Sequence, residues 1–171
     1  MALELGSTCP WKPTPIGDLM QKKAATNRQQ LIEALNGDLA REYQAIIAYV
    51  NYSQVLKGAQ YMNIARELEV HATEELAHAL QIAKQIDYLG GMPTVTPLPV
   101  KTSEKAEQML RFDLDNELET IANYRQRIRD AEAMGEFAMC EVLRQITKQE
   151  QEHAIDLATA LGIEVPPIPE L

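Results

Sequence analysis

Apolar residues recur three and four positions apart along four stretches of this chain, the period of a helix face packed on a core. The first stretch runs from about Asn27 to Lys57, with Leu31, Leu35, Leu39, Ile46 and Tyr49 on one stripe. The second follows Gly58 and runs to about Leu89, with Ile64, Leu68, Ile82 and Ile86 in line, and Gly90-Gly91 stops it. The third starts near Ser103, which reads as an N-cap followed by Glu104, and carries Leu110, Leu114, Ile121, Tyr124 and Ile128 as far as Gly135. The fourth runs from about Glu136 to Leu161 with Met139, Leu143, Ile146 and Leu157. Gly162 ends it, and Pro166, Pro167 and Pro169 prevent further helix. The pattern predicts an all-α protein of four long helices.

The connections predict how the helices are arranged. The breaks at Gly58 and Gly135 are short, so helices one and two are antiparallel neighbours, and so are three and four. The middle connection, Gly90 to Thr102, holds Pro93, Pro97 and Pro99. Extended Pro-rich chain advances ~3.1 Å per residue, so this segment reaches ~40 Å. A helix of about 28 residues is ~42 Å long. The segment is therefore long enough to cross the bundle from end to end, giving two antiparallel hairpins joined by one long crossover. Residues 1–25, with Pro10, Pro13 and Pro15, read as an irregular N-terminal arm, 26–162 as the bundle and 163–171 as a Pro-rich tail.

Polar residues interrupt the apolar stripes at repeated positions. Glu42 precedes Glu75-Leu76-Ala77-His78 by 33 residues, and Glu117 precedes Glu150-Gln151-Glu152-His153 by the same 33. A shift of 75 carries one set onto the other, and also Leu39 onto Leu114, Ile46 onto Ile121, Tyr49 onto Tyr124 and Leu68 onto Leu143. In a helix, positions i and i+3 share a face, so Glu75 projects with His78 and Glu150 with His153. One lone Glu and one Glu-x-x-His, written twice, is the known ligand pattern of dinuclear carboxylate centres in four-helix bundles. Four carboxylates on apolar stripes with no Lys or Arg on the same faces would repel one another. Two divalent cations balance them, with both imidazoles neutral. Oxygen with imidazole suits iron, manganese or zinc better than calcium or magnesium. The Glu of each Glu-x-x-His is expected to bridge two ions ~3.5–4 Å apart.

A single Glu-x-x-His is common by chance, but two of the chain's three His complete the two motifs, and all six positions fall on core stripes. Tyr49 and Tyr124, seven residues beyond Glu42 and Glu117, are either core tyrosines with bonded hydroxyls or partners of the centre through a hydrogen bond or one-electron transfer. His71, one turn before Glu75, reads as a residue on the approach to the centre rather than a seventh ligand. Met62, Met109, Met134 and Met139 read as core filler, Arg125 to Glu132 as a solvated helix face, and Cys140 as a buried inert thiol.

The formal net charge of −9 argues against a nucleic acid partner and suits attraction of small cations. Lys12, Lys22 and Lys23 are too few to make the arm a DNA-binding one. The two cysteines, Cys9 and Cys140, are too few for a disulfide framework, and a reducing cytoplasm is the simplest compartment. The first residues carry no apolar signal segment, and no uncharged stretch is long and apolar enough for a membrane.

With those residues in view, the chain resembles the ferritin superfamily over residues ~27–162. Met109-Leu110-Arg111-Phe112-Asp113-Leu114 leading into Glu117-Leu118 resembles the third helix of bacterioferritins, as does Glu42 followed by Tyr49 in the first. The resemblance implies that Glu42, Glu75, His78, Glu117, Glu150 and His153 are ferroxidase-centre ligands and that Tyr49 stands at the redox-active tyrosine position. Bacterioferritins place a haem-binding Met directly after the Glu of the first motif. Leu76 stands here, so haem held in that way is not expected. The stretch His71-Ala72-Thr73-Glu74-Glu75 with His78, together with Cys140, is similar to Dps-like thioferritins, although Leu118 replaces their second cysteine. Rubrerythrins carry a further Glu where this chain has Thr120.

The function expected is that of a ferroxidase. Two Fe(II) are oxidised by O2 or H2O2, and Fe(III) is stored in a hollow homo-oligomer, which also removes peroxide. A short fifth helix, found in cages of 24, is not evident, which favours a shell of 12. The alternative is a closed dinuclear enzyme, a peroxidase or oxidase or a manganese catalase, that retains its metals without storing mineral. A helical interaction module with a vestigial site is the third reading, and the six-residue coincidence argues against it.

Overall fold

The computed structural model describes residues 27–170. The expected arm over 1–25, with Cys9, Lys12, Lys22 and Lys23, lies outside them. Four helices carry the fold: α1 Arg28–Val55, α2 Met62–Tyr88, α3 Ala106–Ala133 and α4 Phe137–Leu161. The described residues contain no strand, and the architecture is an all-α four-helix bundle. Among the described residues, no helix is long and apolar enough to cross a membrane.

Local chemistry fixes where the helices begin and end. Asn27 and Gln30 form a reciprocal capping box: Asn27 Oδ1 accepts from the Gln30 N–H (2.9 Å) and Gln30 Oε1 from the Asn27 N–H (3.0 Å). α1 ends two residues before Lys57, and a short 3-10 turn, Ala59–Tyr61, follows Gly58 before α2 starts. α3 begins later than the sequence pattern predicts, because Ser103 is not its cap. The Ser103 hydroxyl accepts from the Lys105 N–H (3.1 Å) and donates to Gln108 Oε1 (2.7 Å), which holds a turn ahead of the helix. α4 closes on Gly162, whose φ of 68° lets the Ile163 N–H reach back to the Ala158 carbonyl (3.0 Å).

α1 packs along α2 and α3 along α4, and the two hairpins meet through α1 with α3 and α2 with α4. The chain between α2 and α3 is the expected long crossover, and α1 holds it at successive levels. Asn36 donates to the Met92 carbonyl (3.2 Å) and accepts from the Thr94 N–H (2.6 Å). The Leu98 N–H donates to the Ala40 carbonyl (3.0 Å), Gln44 to the Pro99 carbonyl (2.6 Å), and the Tyr52 hydroxyl to the Lys101 carbonyl. Both partners rise together in number, so the crossover runs parallel to α1 and delivers the chain to the far end of the bundle. Proline-rich chain has no ladder of its own, and α1 side chains supply partners for its backbone.

The core is split. One apolar cluster gathers Leu31, Leu35, Leu39, Ile82, Ile86, Leu143 and Ile146. The other gathers Tyr52, Leu68, Leu110, Leu114, Leu157 and neighbouring residues. Between them lies a layer of buried polar side chains. Met109 and Met139 are buried and Met134 is packed against the core, but Met62 is 59% exposed at the start of α2, so it is not core filler. The stretch Arg125 to Glu132 is not uniformly solvated either. Arg127 and Asp130 have side chains only 13% exposed, and Arg127 bridges buried Asp38 (2.8 Å) and Asp130 (3.0 Å). A guanidinium can bury its stem while satisfying two carboxylates, which a reading by charge alone does not reveal.

Two glycines predict opposite responses to alanine. A Cβ on Gly91 would lie 2.6 Å from Ile32 Cγ2 and 3.0 Å from Ile86 Cγ2, where the crossover leaves the bundle against both helices of the first hairpin. Gly91→Ala is expected to lower stability by about 1–3 kcal/mol through overpacking. A Cβ on Gly37, exposed in α1, meets nothing within 4 Å. Gly37→Ala is expected to raise stability by about 0.5–1 kcal/mol. Urea denaturation of the two variants beside the parent protein checks both signs.

Candidate metal centre

Each helix brings its part of the repeated motif to the layer between the two apolar clusters. Glu42 on α1, Glu75 and His78 on α2, Glu117 on α3, and Glu150 and His153 on α4 are each no more than 2% exposed. Their ligand atoms form two overlapping sets, Glu42–Glu75–His78–Glu150 and Glu75–Glu117–Glu150–His153, within each of which the atoms lie within 4.8 Å of one another. His78 Nδ1 lies 3.0 Å from Glu150 Oε1, 3.3 Å from Glu75 Oε2 and 3.5 Å from Glu42 Oε2. His153 Nδ1 lies 3.0 Å from Glu75 Oε1, 3.6 Å from Glu150 Oε2 and 3.9 Å from Glu117 Oε2. Glu75 and Glu150 thus each turn one oxygen toward either imidazole, while Glu42 and Glu117 each serve one side.

Electrostatics make this arrangement costly without cations. Two carboxylates ~4 Å apart repel by about 4 kcal/mol even at an effective dielectric of about 20. Burial, with the charges of Glu75 and Glu150, pushes Glu42 well above the usual carboxylate range, and burial with Glu150 does the same to Glu117. Burial opposes ionisation of Glu75 and Glu150 too, but the two imidazoles outweigh it and hold both low. Burial alone would depress the imidazoles. Glu150 and Glu75 outweigh it, pushing His153 up to about 12 and His78 higher still. Glu42 Oε2, Glu75 Oε1, Glu117 Oε2, both Glu150 oxygens and His153 Nδ1 are buried with no hydrogen-bond partner. Orphaned buried acceptors cost about 1–3 kcal/mol each. Four carboxylates and two imidazoles aimed at one another are a donor set that two divalent ions would satisfy.

The outer nitrogens of both imidazoles are held as well. His78 Nε2 lies 2.9 Å from Gln149 Oε1 and His153 Nε2 lies 2.8 Å from Glu74 Oε2, while Gln149 Nε2 donates to Glu74 Oε1 (3.1 Å). A proton on Nε2 leaves Nδ1 free to face the centre, so these partners fix ring orientation and tautomer together. The motif reading assigned neither residue a role. The signal was present: Glu74 and Gln149 each stand directly before the Glu of a Glu-x-x-His, 75 residues apart.

The tyrosines cross-link the centre. The Tyr49 hydroxyl donates to Glu117 Oε1 and the Tyr124 hydroxyl to Glu42 Oε1, so each lone Glu is held by the tyrosine of the other's helix. Burial and the nearby carboxylates push both phenols well above their ordinary value, keeping them protonated as donors. The Tyr49 ring also packs edge-on to His71 (5.3 Å between centroids) and His153 (6.1 Å). His71 belongs to neither four-residue set. It is 1% exposed, stacks on His153 (4.0 Å between centroids) and faces Asp156 (3.3 Å). Burial and His153 depress its imidazole to about 4, so it is neutral at pH 7. Cys140 is buried in the first core cluster, its thiol against the Ile128 carbonyl (3.6 Å).

A narrow opening of about 10 Å³ on the α1–α3 side touches Glu42, Glu75, Glu117 and Glu150, with Arg41 and Asn116 at its wall. About one water molecule fits such a space. Arg41 pairs with Glu119 across that face (3.0 Å).

The sequence model of the ferritin-like domain matches residues 32–164. The chain is 30% identical to a bacterioferritin of Desulfovibrio desulfuricans, over 74% of its own length and 71% of the relative's. It is 29% identical to a bacterial ferritin of Synechocystis, over 78% and 85%. Among solved structures, a ferritin-like diiron-carboxylate protein from Bacillus anthracis superposes with a TM-score of 0.76 at 34% identity, covering 78% of this chain and 96% of that one. A dodecameric thioferritin from Bacteroides fragilis, described as bacterioferritin-related, superposes with a TM-score of 0.74 at 26% identity, covering 81% and 88%. A split-core bundle with doubled Glu-x-x-His, joined to these matches over most of the chain, places the protein in the ferritin-like family.

Proposed function

We propose that this protein is a ferroxidase of an iron-storing homo-oligomer. The observation that carries the reading is the pair of overlapping ligand sets, buried between two apolar clusters and sharing Glu75 and Glu150. Glu42, Glu75 and His78 with Glu150 would hold one Fe(II), and Glu117, Glu150 and His153 with Glu75 the other. Two Fe(II) give up one electron each. O2 takes both with two protons and becomes H2O2, or H2O2 takes both with two protons and becomes two waters. The family names and the donor set support iron as substrate, and manganese or zinc would fit the same oxygen and nitrogen donors. The opening that touches the four central carboxylates is water-sized, which favours ions and small oxidants over an organic substrate.

The residues around the centre have definable tasks. Glu74 and Gln149 orient the imidazoles. Tyr49 is the preferred one-electron donor, since it sits against His153 and its proton has an acceptor in Glu117. Leu76 is exposed where a haem-binding Met would stand, and the reading assigns no haem. Ile47 and Leu76 are both exposed, and the Gln54–Glu69 contact sets them level on the outer face of α1 and α2. With Val50 and Leu80 they form an apolar strip suited to burial between copies of the chain. The likeness to a dodecameric thioferritin supports a shell of 12 rather than 24.

Three outcomes test this reading. Aerobic addition of Fe(II) should leave tens of iron atoms soluble and co-eluting per chain, and Glu150→Ala should slow oxidation by at least about 100-fold, since losing even an outer ligand partner costs ~10–100-fold. A plateau near two iron per chain would instead indicate a closed dinuclear enzyme, and unchanged oxidation in the variant would remove both readings. Loading with two divalent ions should release protons, because the proton affinities of His78, His153, Glu42 and Glu117 are all raised in the metal-free centre. Metal affinity should therefore climb as pH rises, measurable by calorimetry in buffers of different ionisation enthalpy. Tyr49→Phe should slow the oxidation phase while leaving two ions bound, whereas Tyr124→Phe should have the smaller kinetic effect, both read by stopped-flow absorbance.

A further inference from the structure

The repeat that builds the dinuclear centre does not extend to Glu67 and His71 of α2. A shift of 75 carries Glu67 onto Val142 and His71 onto Ile146, and Ile146 is wholly buried in the apolar core. On the α2 side the equivalent positions are polar. Glu67, His71 and Glu75 follow one another at four-residue intervals, so they form a single stripe along α2. Asp156 on α4 lies opposite, three residues beyond His153. The ligand atoms of Glu67, His71 and Asp156 lie within 4.8 Å of one another.

The surroundings of this trio differ from those of an ordinary surface charge cluster. Glu67 and Asp156 line a cleft of about 490 Å³ that also touches Asn63 and Gln60. His71, at 1% exposure, is buried behind them, its Nε2 toward Asp156 and its Nδ1 without a hydrogen-bond partner. Among the described residues, no Lys or Arg pairs with Glu67 or Asp156. A first-row divalent ion sits ~2.0–2.2 Å from imidazole nitrogen and carboxylate oxygen, so donors this close can converge on one ion after small rotations of exposed side chains. His71 is also a member of a second group, with Glu74 and His153, and His153 belongs to the dinuclear centre. Donor groups therefore run without a gap from the cleft to the buried layer.

We propose that Glu67, His71 and Asp156 form a separate mononuclear site for a divalent first-row cation, from which Fe(II) passes to the dinuclear centre. The site itself rests on its own donors; only the identity of the travelling ion rests on the ferroxidase reading. Glu74 is engaged with His153 and Gln149, so the intermediate group is a step of transfer and not a resting place. Water completes the coordination of an ion on the cleft side, which makes the ion exchangeable.

Anaerobic titration with Co(II), followed by its visible absorption and by retained metal after desalting, tests the proposal with the intact oligomer. The parent protein should show three ions per chain in two spectroscopic classes. Glu67→Gln with Asp156→Asn should weaken the third ion by about tenfold or more, the scale of even an outer ligand partner's loss, and leave the other two in place. Glu150→Ala should do the reverse, retaining the single ion. At limiting Fe(II) the double variant should oxidise iron several-fold more slowly and match the parent at saturation. A parent that binds only two ions, or a third ion that persists in the double variant, would overturn the proposal. Absence of iron oxidation with the three-ion stoichiometry intact would instead count against the ferroxidase reading alone.

Discussion

Four carboxylates buried in one layer cannot all be ionised unless cations of matching charge stand among them. That constraint organises the rest of the molecule. The helices are long because the layer must be sealed at both ends, and an apolar cluster stands on either side of it. Among the described residues no Lys or Arg ion-pairs with the six central residues, and the ion-pair contacts of the four carboxylates are to His78 and His153. The imidazoles hold Glu75 and Glu150 low while burial raises Glu42 and Glu117, so protons supply positive charge against the carboxylates in the metal-free centre. Two divalent ions with neutral imidazoles would supply that charge in their place. The carboxylates therefore face positive charge in either form, and exchange of protons for metal need not disturb the packing above and below the layer.

The repeat of 75 residues explains why the centre holds together as a unit. Each half of the chain supplies a Glu, a Glu-x-x-His, a tyrosine and the residue before the motif, and each is completed by the other half. Tyr49 binds Glu117 while Tyr124 binds Glu42, and Glu74 binds His153 while Gln149 binds His78. The tyrosine that holds each lone Glu and the partner of each outer imidazole nitrogen thus come from the opposite hairpin. The repeat is imperfect where charge is concerned. Asp38 finds Arg127, and burial still raises it to about 6, whereas Asp113 at the equivalent position has no such cation and is pushed well above the carboxylate range.

Much of this was legible in the sequence because it depends on periodicity. Helix number, the two hairpins, the crossover and the convergence of six side chains follow from spacing on helical stripes, and spacing is insensitive to side-chain detail. What escaped the sequence depends on rotamers and on partners distant in the chain. Ser103 looks like a cap, but its hydroxyl is taken by a local turn. Met62 has the right residue type for the core but stands at a helix start that faces outward. Arg127 sits in a charged run, yet its partner is 89 residues away on α1. Glu74 and Gln149 were visible as a repeated position, but only the fold shows that each crosses to the other's imidazole.

The two sides of the centre offer different chemistry, and this ranks the groups around it. On the α1–α3 side the opening is water-sized, touches all four carboxylates of the centre and has Arg41, paired with Glu119, at its wall. On the α2–α4 side a broad cleft leads to carboxylates and an imidazole, groups that attract cations and can strip their water in steps. Tyr49 stands on the second side, edge-on to both His71 and His153, while Tyr124 lies in the other core cluster without a comparable imidazole contact among the described residues. An electron drawn from Tyr49 therefore leaves from the end through which cations would arrive. Its hydroxyl donates to Glu117. The same tyrosine in the other half has an equivalent hydrogen bond but lacks that neighbourhood, which is why two residues related by an exact sequence shift are not equivalent in the folded chain.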